Sequence, residues 1–161
     1  MQSQEKYWNI SEETGKFLAF IIEITKKKSI LEIGTSNGYS ATWLAKNAEK
    51  IITIEQRDDW YQEAINNLKD SKNVKVLHGN ALEIIPTLKE TFDLVFIDAK
   101  KNEYLQYFNA IKPLLNKDAL VIADNTISHK DKMKDFLEEI KKYNTIELEI
   151  GKGLTITTFL L

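Results

Sequence analysis

The stretch Ser29-Ile30-Leu31-Glu32-Ile33-Gly34-Thr35-Ser36-Asn37-Gly38-Tyr39-Ser40 changes character at its first glycine. Before Gly34 lies an apolar run too short for a helix, which reads as a buried strand. Beyond Gly38, residues 39–47 carry a helical pattern. A strand that feeds a helix through a glycine-bearing turn is the start of a βα unit. The alternation repeats outward along the chain. Residues 50–54, 74–77, 92–97 and 119–123 are further short β-rich runs, and residues 60–68, 81–88, 104–111 and 132–143 are the helical segments that follow them. Upstream, Ser11-Glu12-Glu13-Thr14 opens a helix whose apolar face is Phe17, Leu18, Phe20, Ile21, Ile22 and Ile24. Ser11 is placed to cap that helix, and Lys26-Lys27-Lys28 closes it at the negative end of its dipole. At the other end, residues 146–150 and 154–160 are β-rich runs joined by Gly151-Lys152-Gly153, which reads as a hairpin. Five βα units and a hairpin predict an α/β fold: a seven-stranded, mostly parallel, doubly wound sheet with helices on both faces and one reversed strand at its edge.

Composition narrows the function classes. The chain has 161 residues with 6 glycines and 2 prolines, no linker-like stretch and no repeat, so one domain over residues 1–161 is expected. With 22 basic and 24 acidic side chains, a net charge of −2 argues against a protein that coats nucleic acid. The absence of cysteine excludes disulfides, thiolate clusters and a Cys nucleophile, and suits a reducing, cytoplasmic location. No apolar run approaches the roughly 18 residues of a membrane span. Met1-Gln2-Ser3-Gln4-Glu5-Lys6 lacks the layout of a signal peptide.

In doubly wound sheets, ligands sit beyond the carboxyl ends of the strands near the topological switch point. After the first strand, the glycines are spaced G-x-x-x-G. This lets backbone approach a ligand closely but differs from the G-x-G-x-x-G of dinucleotide enzymes; a bare βα turn would look the same. Glu55 ends the second strand, 23 residues after Glu32, where such a site accepts hydrogen bonds from ribose hydroxyls. His78-Gly79-Asn80-Ala81 follows the third strand, with an amide and a small residue that suit an adenine. The fourth and fifth strands end in Asp98-Ala99-Lys100-Lys101 and Asp124-Asn125. Two carboxylates and an amide carbonyl at neighbouring strand ends form an all-oxygen set for a hard divalent ion, and without histidine or thiolate they disfavour zinc. Taken singly, Asp98 also reads as a helix cap and Asp124-Asn125 as a turn.

Together these residues resemble the cation-dependent O-methyltransferases of the catechol and caffeoyl-CoA type. The resemblance runs from residue 10 to the end through Ile10-Ser11-Glu12-Glu13-Thr14-Gly15-Lys16-Phe17-Leu18, the Glu32 to Ser40 stretch, Phe96-Ile97-Asp98-Ala99-Lys100-Lys101 with Tyr104, Ala123-Asp124-Asn125 and Gly153-Leu154-Thr155. It implies a Rossmann-like class I methyltransferase fold and S-adenosyl-L-methionine as cofactor. Glu32, Gly34, Thr35, Gly38, Tyr39 and Ser40 would line the methionine moiety, Ser40 with its hydroxyl toward the carboxylate. Glu55 would hold the ribose, Asn80 and Ala81 would flank the adenine, and Asp98 would lie close to the methyl donor. Asp98, Asp124 and Asn125 would hold Mg²⁺, or another divalent cation such as Mn²⁺ or Ca²⁺. Lys101 matches the general base, and Tyr104 follows on the next helical turn. The acceptor would be a small vicinal dihydroxy aromatic, in a homodimeric enzyme.

The chemistry suits these residue types. Methyl transfer from a sulfonium to oxygen depends on holding donor and acceptor in line, a divalent ion lowers the pKa of an acceptor hydroxyl, and a lysine beside a dication can serve as base. Two departures from the family pattern stand out. Only nine residues precede Ile10, and the insert after Asp124-Asn125 is short, so the acceptor site is expected to be open or completed by a partner subunit. This leaves room for a bulkier acceptor, including a hydroxylated tRNA nucleoside, or for a relative that binds the cofactor without catalysis. Asn80 stands where many relatives carry an acid. Elsewhere, Trp43, Trp60 and Tyr61 predict core packing and Lys130-Asp131-Lys132-Met133-Lys134 a solvated helix face. His78 and His129 have neither a nucleophile nor metal-ligand spacing beside them.

Overall fold

The computed structural model describes residues 8–159. Met1 to Lys6 and the end of the last run at Leu160 lie outside the described residues. The chain runs α1 (Glu12–Thr25), β1 (Ser29–Ile33), α2 (Tyr39–Leu44), β2 (Lys50–Glu55), α3 (Asp58–Leu68), β3 (Val74–His78), α4 (Ala81–Ile84), β4 (Phe92–Ile97), α5 (Tyr104–Ile111), β5 (Leu115–Asp124), α6 (Lys134–Ile140), β6 (Asn144–Leu148) and β7 (Leu154–Thr158). Local chemistry explains several boundaries. Ser11 Oγ accepts from Thr14 N at 3.1 Å and starts α1, while Lys26, at φ 56°, ends it in the left-handed region. Pro86 shortens the helix expected over 81–88 to one α-turn followed by a 3₁₀ turn, Ile85–Thr87.

The sheet order is β3-β2-β1-β4-β5-β7-β6. β1 to β5 pair in parallel, and β7 is antiparallel to both β5 and β6. The reversed strand therefore stands one place in from the edge, not at it. Burial gives the reason: Leu154 to Thr157 are all buried and need neighbours on both sides, whereas Asn144, Glu147 and Ile146 on β6 are exposed and tolerate the rim. The hairpin strand also begins two residues earlier than the apolar run suggests, leaving a turn over 149–153.

Side chains leave the sheet alternately. Leu31, Ile33, Ile52, Ile54, Val95, Ile97, Val121 and Ala123 meet Ile85, Tyr104, Phe108, Ile111, Phe136 and Ile140 from α4 to α6 and the turn after α4. On the other face Ile30, Ile51, Leu94, Phe96, Leu120 and Ile122 meet Leu18, Ile22 and Leu44 from α1 and α2, and α3 adds Ala64 and Leu68 against Ala41. With both faces covered, polar groups collect at the strand ends. The order reverses between β1 and β4, which makes their carboxyl ends the switch point.

Candidate active site

The turn after β1 is fastened to the end of β2. Gly34 N and Thr35 N both donate to Ile54 O, at 3.0 and 3.2 Å, and Asp98 N donates to Ile33 O at 2.9 Å from the other side. Gly34 has φ +97°, and a Cβ there would lie 2.0 Å from Asp98 O. The position needs glycine both for its backbone and for the close pass of the β4 loop.

Beneath this turn is a buried hydroxyl and carboxylate network. Glu32 is fully buried. Its oxygens accept from the Ser40 hydroxyl and from Thr53 Oγ1 at 2.5 Å, and Thr53 Oγ1 lies 2.6 Å from Thr35 Oγ1. Burial pushes the Glu32 carboxyl up to about 8, against the pull of the two hydroxyls. Glu55, also buried, accepts from two backbone amides, Ser36 N at 2.7 Å and Arg57 N at 2.8 Å, and so ties the two turns together.

At the ends of β4 and β5 the chemistry is different. Lys101 Nζ lies 2.8 Å from Asp98 Oδ1 and donates to Tyr104 OH at 3.2 Å. The Tyr104 hydroxyl in turn reaches Asp124 O at 3.0 Å and Ile97 O at 3.3 Å, so one buried phenol locks the lysine to both strand ends. Burial, with Asp98 and Asp124 nearby, holds that phenol above its ordinary range and keeps it protonated. Asp124 is 4% exposed, and its Oδ1 has no hydrogen-bond partner among the described residues. Burial and the neighbouring Asp98 push its carboxyl up to about 7, opposed by Asn125 N, Lys101 and Lys152. Asn125 is buried at φ 65°, a conformation asparagine tolerates.

A buried carboxylate oxygen without a partner costs free energy unless something positive meets it. Asp98, Asp124 and the Asn125 amide thus fit a hard divalent cation. No three His, Cys, Asp or Glu side chains converge among the described residues, so the amide is essential to the set.

These ends open on a cavity of about 630 Å³. Of the residues singled out from the sequence, Gly34, Ser40, Glu55, Ala81, Asp98, Lys101 and Asn125 line it. Glu32 and Thr35 lie under its floor, with the Ser40 hydroxyl donating a hydrogen bond to Glu32. Gly38 faces Leu68, Tyr39 packs edge-on to Trp43 at 6.4 Å, and Asn80 caps α4, its Oδ1 accepting from Leu82 N at 2.9 Å.

Other residues depart from the sequence expectation. Trp60 is no core residue: it lines the cavity, with Arg57 stacked 4.1 Å over its ring and Trp8 edge-on at 5.8 Å. Tyr61 stacks on the exposed His78 at 4.6 Å rather than in the core. His129 and Lys132 also reach the cavity, as do Lys100, Tyr107 and Lys152. A second cleft of about 660 Å³ runs between α6 and the β6–β7 ladder, past Lys134, Lys141, Tyr143 and Glu147, away from the strand ends.

A glycine-bearing turn, a buried acid ending β2 and an oxygen-donor cluster, all at the switch point of a 3-2-1-4-5-7-6 sheet, accompany the class I methyltransferase fold. Residues 1–155 match the family model described as O-methyltransferase, and the chain belongs to that family. It is 35% identical over 129 residues to a catechol O-methyltransferase of Niastella koreensis, covering 74% of this chain and 58% of the relative. It is likewise 35% identical over 125 residues to one of Mycobacterium tuberculosis, covering 73% and 57%. The chain thus spans less than two thirds of the length of these relatives. Among solved structures, the O-methyltransferase TomG of Streptomyces achromogenes, involved in tomaymycin synthesis and in complex with SAM, superposes with a TM-score of 0.84. It is 26% identical, covering 98% of this chain and 86% of that one. No helix among the described residues is long and apolar enough to cross a membrane.

Proposed function

We propose that the protein is an S-adenosylmethionine-dependent O-methyltransferase that works with a divalent cation, Mg²⁺ or a similar ion, on one hydroxyl of a vicinal dihydroxy aromatic acceptor. The observation that carries this reading is the buried Asp124 Oδ1, without a hydrogen-bond partner among the described residues, directly behind Asn125, which lines the cavity together with Asp98 and Lys101. The names of two relatives, catechol O-methyltransferases, and the SAM-bound relative support it.

In this reading Gly34 and Ser40 hold the methionine moiety, Glu55 the ribose and Ala81 the adenine, while Asp98, Asp124 and Asn125 hold the cation. When bound, the cofactor supplies a sulfonium methyl, and the cation draws an acceptor hydroxyl toward its ionised form. The protein's own contribution is positional. Asp98 N is bonded to the strand beside Gly34, which fixes the spacing between the cofactor turn and the oxygen ligands. Lys101, clamped by Asp98 and Tyr104, is the base in this reading: once its ammonium proton has been released to solvent, the amine takes the proton that the hydroxyl loses. Ile10, Ile54 and Trp60 supply apolar wall, and the cavity is large enough for a nucleoside cofactor with a small aromatic acceptor beside it.

The test is transfer of a labelled methyl group from S-adenosylmethionine to catechol-type acceptors with Mg²⁺ or Mn²⁺. Turnover that chelator abolishes and the ion restores is the expected outcome. Turnover indifferent to chelator would sink the role of the cation, and cofactor binding without transfer to any acceptor would sink the enzymatic reading.

A further inference from the structure

One wall of the cavity carries positive charge that the methyl-transfer reading leaves unused. Lys100 has Glu103 at 3.5 Å, Lys101 has Asp98 at 2.8 Å, and the nearby Lys134 has Asp131 at 3.7 Å. Lys132 and Lys152 line the same cavity, are exposed, and have no carboxylate within ion-pair distance among the described residues.

Their placement is built rather than incidental. Asp124 pairs with Leu154, so the antiparallel return of β7 carries the preceding turn to the carboxyl end of β5. There Ile127 N and Ser128 N both donate to Lys152 O, at 3.2 and 3.0 Å, and Thr126 N donates to Gly153 O at 3.3 Å. Gly153, at φ +96°, passes so near Ile127 N that a Cβ would stand 2.5 Å from it. Lys132 ends a 3₁₀ turn whose amide bonds to His129 O at 2.9 Å. His129 lines the same cavity, its backbone N–H donating to Asn125 O at 3.0 Å and its Nδ1 2.7 Å from Ser128 Oγ.

We propose that Lys132 and Lys152 recognise an anionic substituent on the acceptor, so that the substrate is a vicinal dihydroxy aromatic acid whose diol faces Asp98, Asp124 and Asn125 and whose carboxylate faces the two lysines. This rests on the O-methyltransferase reading above. Two flexible ammonium groups give a point-charge match that a neutral aromatic leaves unused. The chain has a net charge of −2, without the overall basic excess of a protein that tracks an RNA backbone.

The experiment compares 3,4-dihydroxybenzoate with its uncharged amide. Binding of each is measured by calorimetry with Mg²⁺ and S-adenosylhomocysteine present, and methyl transfer is followed in parallel. The acid is expected to bind about three- to tenfold more tightly than the amide. That ratio should fall to about twofold or less at high salt and in the Lys132→Gln/Lys152→Gln variant, whose altered side chains are exposed and whose folding is checked by its thermal melt. Equal binding of acid and amide, or a ratio the double variant leaves unchanged, overturns the proposal, as does preferential methylation of total tRNA. Turnover separates the two levels. Preferential acid binding without methylation of either compound would remove the enzymatic reading and keep the anion site. Methylation of both with equal binding would do the reverse.

Discussion

The two sides of the cavity are built by different means. On the β1–β2 side the wall is backbone, and behind it the polar groups satisfy one another: Glu32 with Ser40 and Thr53, Glu55 with the amides of Ser36 and Arg57. On the β4–β5–β7 side, among the described residues, a carboxylate oxygen of Asp124 is buried without a hydrogen-bond partner behind Asn125, and the wall residues Lys132 and Lys152 have no carboxylate within ion-pair distance. The first side is complete as it folds and suits a ligand that is always the same. The second holds uncompensated charge of both signs and is completed by what it binds.

The largest effect should come from the side that looks satisfied. Glu32 is held protonated up to about pH 8, whereas an ordinary carboxyl loses its proton near 4.5. Between those values the folded protein binds one more proton than the unfolded chain. Stability therefore falls as pH rises, at a slope with a ceiling of about 1.4 kcal/mol per pH unit. Glu32→Gln keeps a neutral group in place and removes that slope. In urea melts across this range, the variant should gain steadily on the wild type from pH 4.5 to 8. Parallel curves would mean that Glu32 is ionised in the fold and that the two sides are less different than the geometry says.

Next comes the opposite signature. Asp98→Asn should lower kcat/KM about a hundredfold, the scale of losing a metal ligand that also holds the base. The melting temperature should hold or rise, because Asp98 is one of the charges that crowd Asp124. A protein that loses stability along with activity would show that the Asp98–Lys101 pair holds the fold.

Gly34→Ala joins the two sides in one substitution, since the new Cβ meets the carbonyl of Asp98 and the backbone stays at φ +97°. We expect a loss of about 2 kcal/mol or more in denaturant melts. Cofactor affinity and cation affinity should fall together. Loss of only one would mean that the turn and the β4 loop move independently.

The sequence exposed the first side more fully than the second, for a physical reason. Parallel strands buried on both faces are short apolar runs, so β1, β2, β4 and the buried end of β5, with the residues ending them, could be read directly. Asp98 and Lys101, three apart where a helix begins, were local as well. Lys152 was not, because it reaches the site only through the pairing of Asp124 with Leu154. Once a reversed strand is placed beside β5, however, the turn before it must lie at the carboxyl end. That inference was available from the hairpin. Trp60 shows the reverse problem: helical spacing among apolar residues is the same for a core tryptophan and for one facing a cavity at the start of α3. Arg57, three residues earlier, was the cue, since a guanidinium stacks on an indole that remains partly exposed.

The smallest effect tests a residue at the border of the first side. The resemblance puts Asn80 beside the adenine, and in the fold its side-chain oxygen accepts from Leu82 N and caps α4. A cap of this kind is worth about 1 kcal/mol, and aspartate serves as well as asparagine. Asn80→Ala should therefore lose about 1 kcal/mol in thermal or urea melts while shifting the Kd for S-adenosylmethionine by about twofold or less. Asn80→Asp should keep the stability, since a carboxylate caps the same amide and also favours the positive end of the helix. The opposite split, with stability unchanged in Asn80→Ala and cofactor affinity down about tenfold, would place Asn80 among the ligand-binding groups. It would also mean that the first side, like the second, holds a group that only a ligand satisfies.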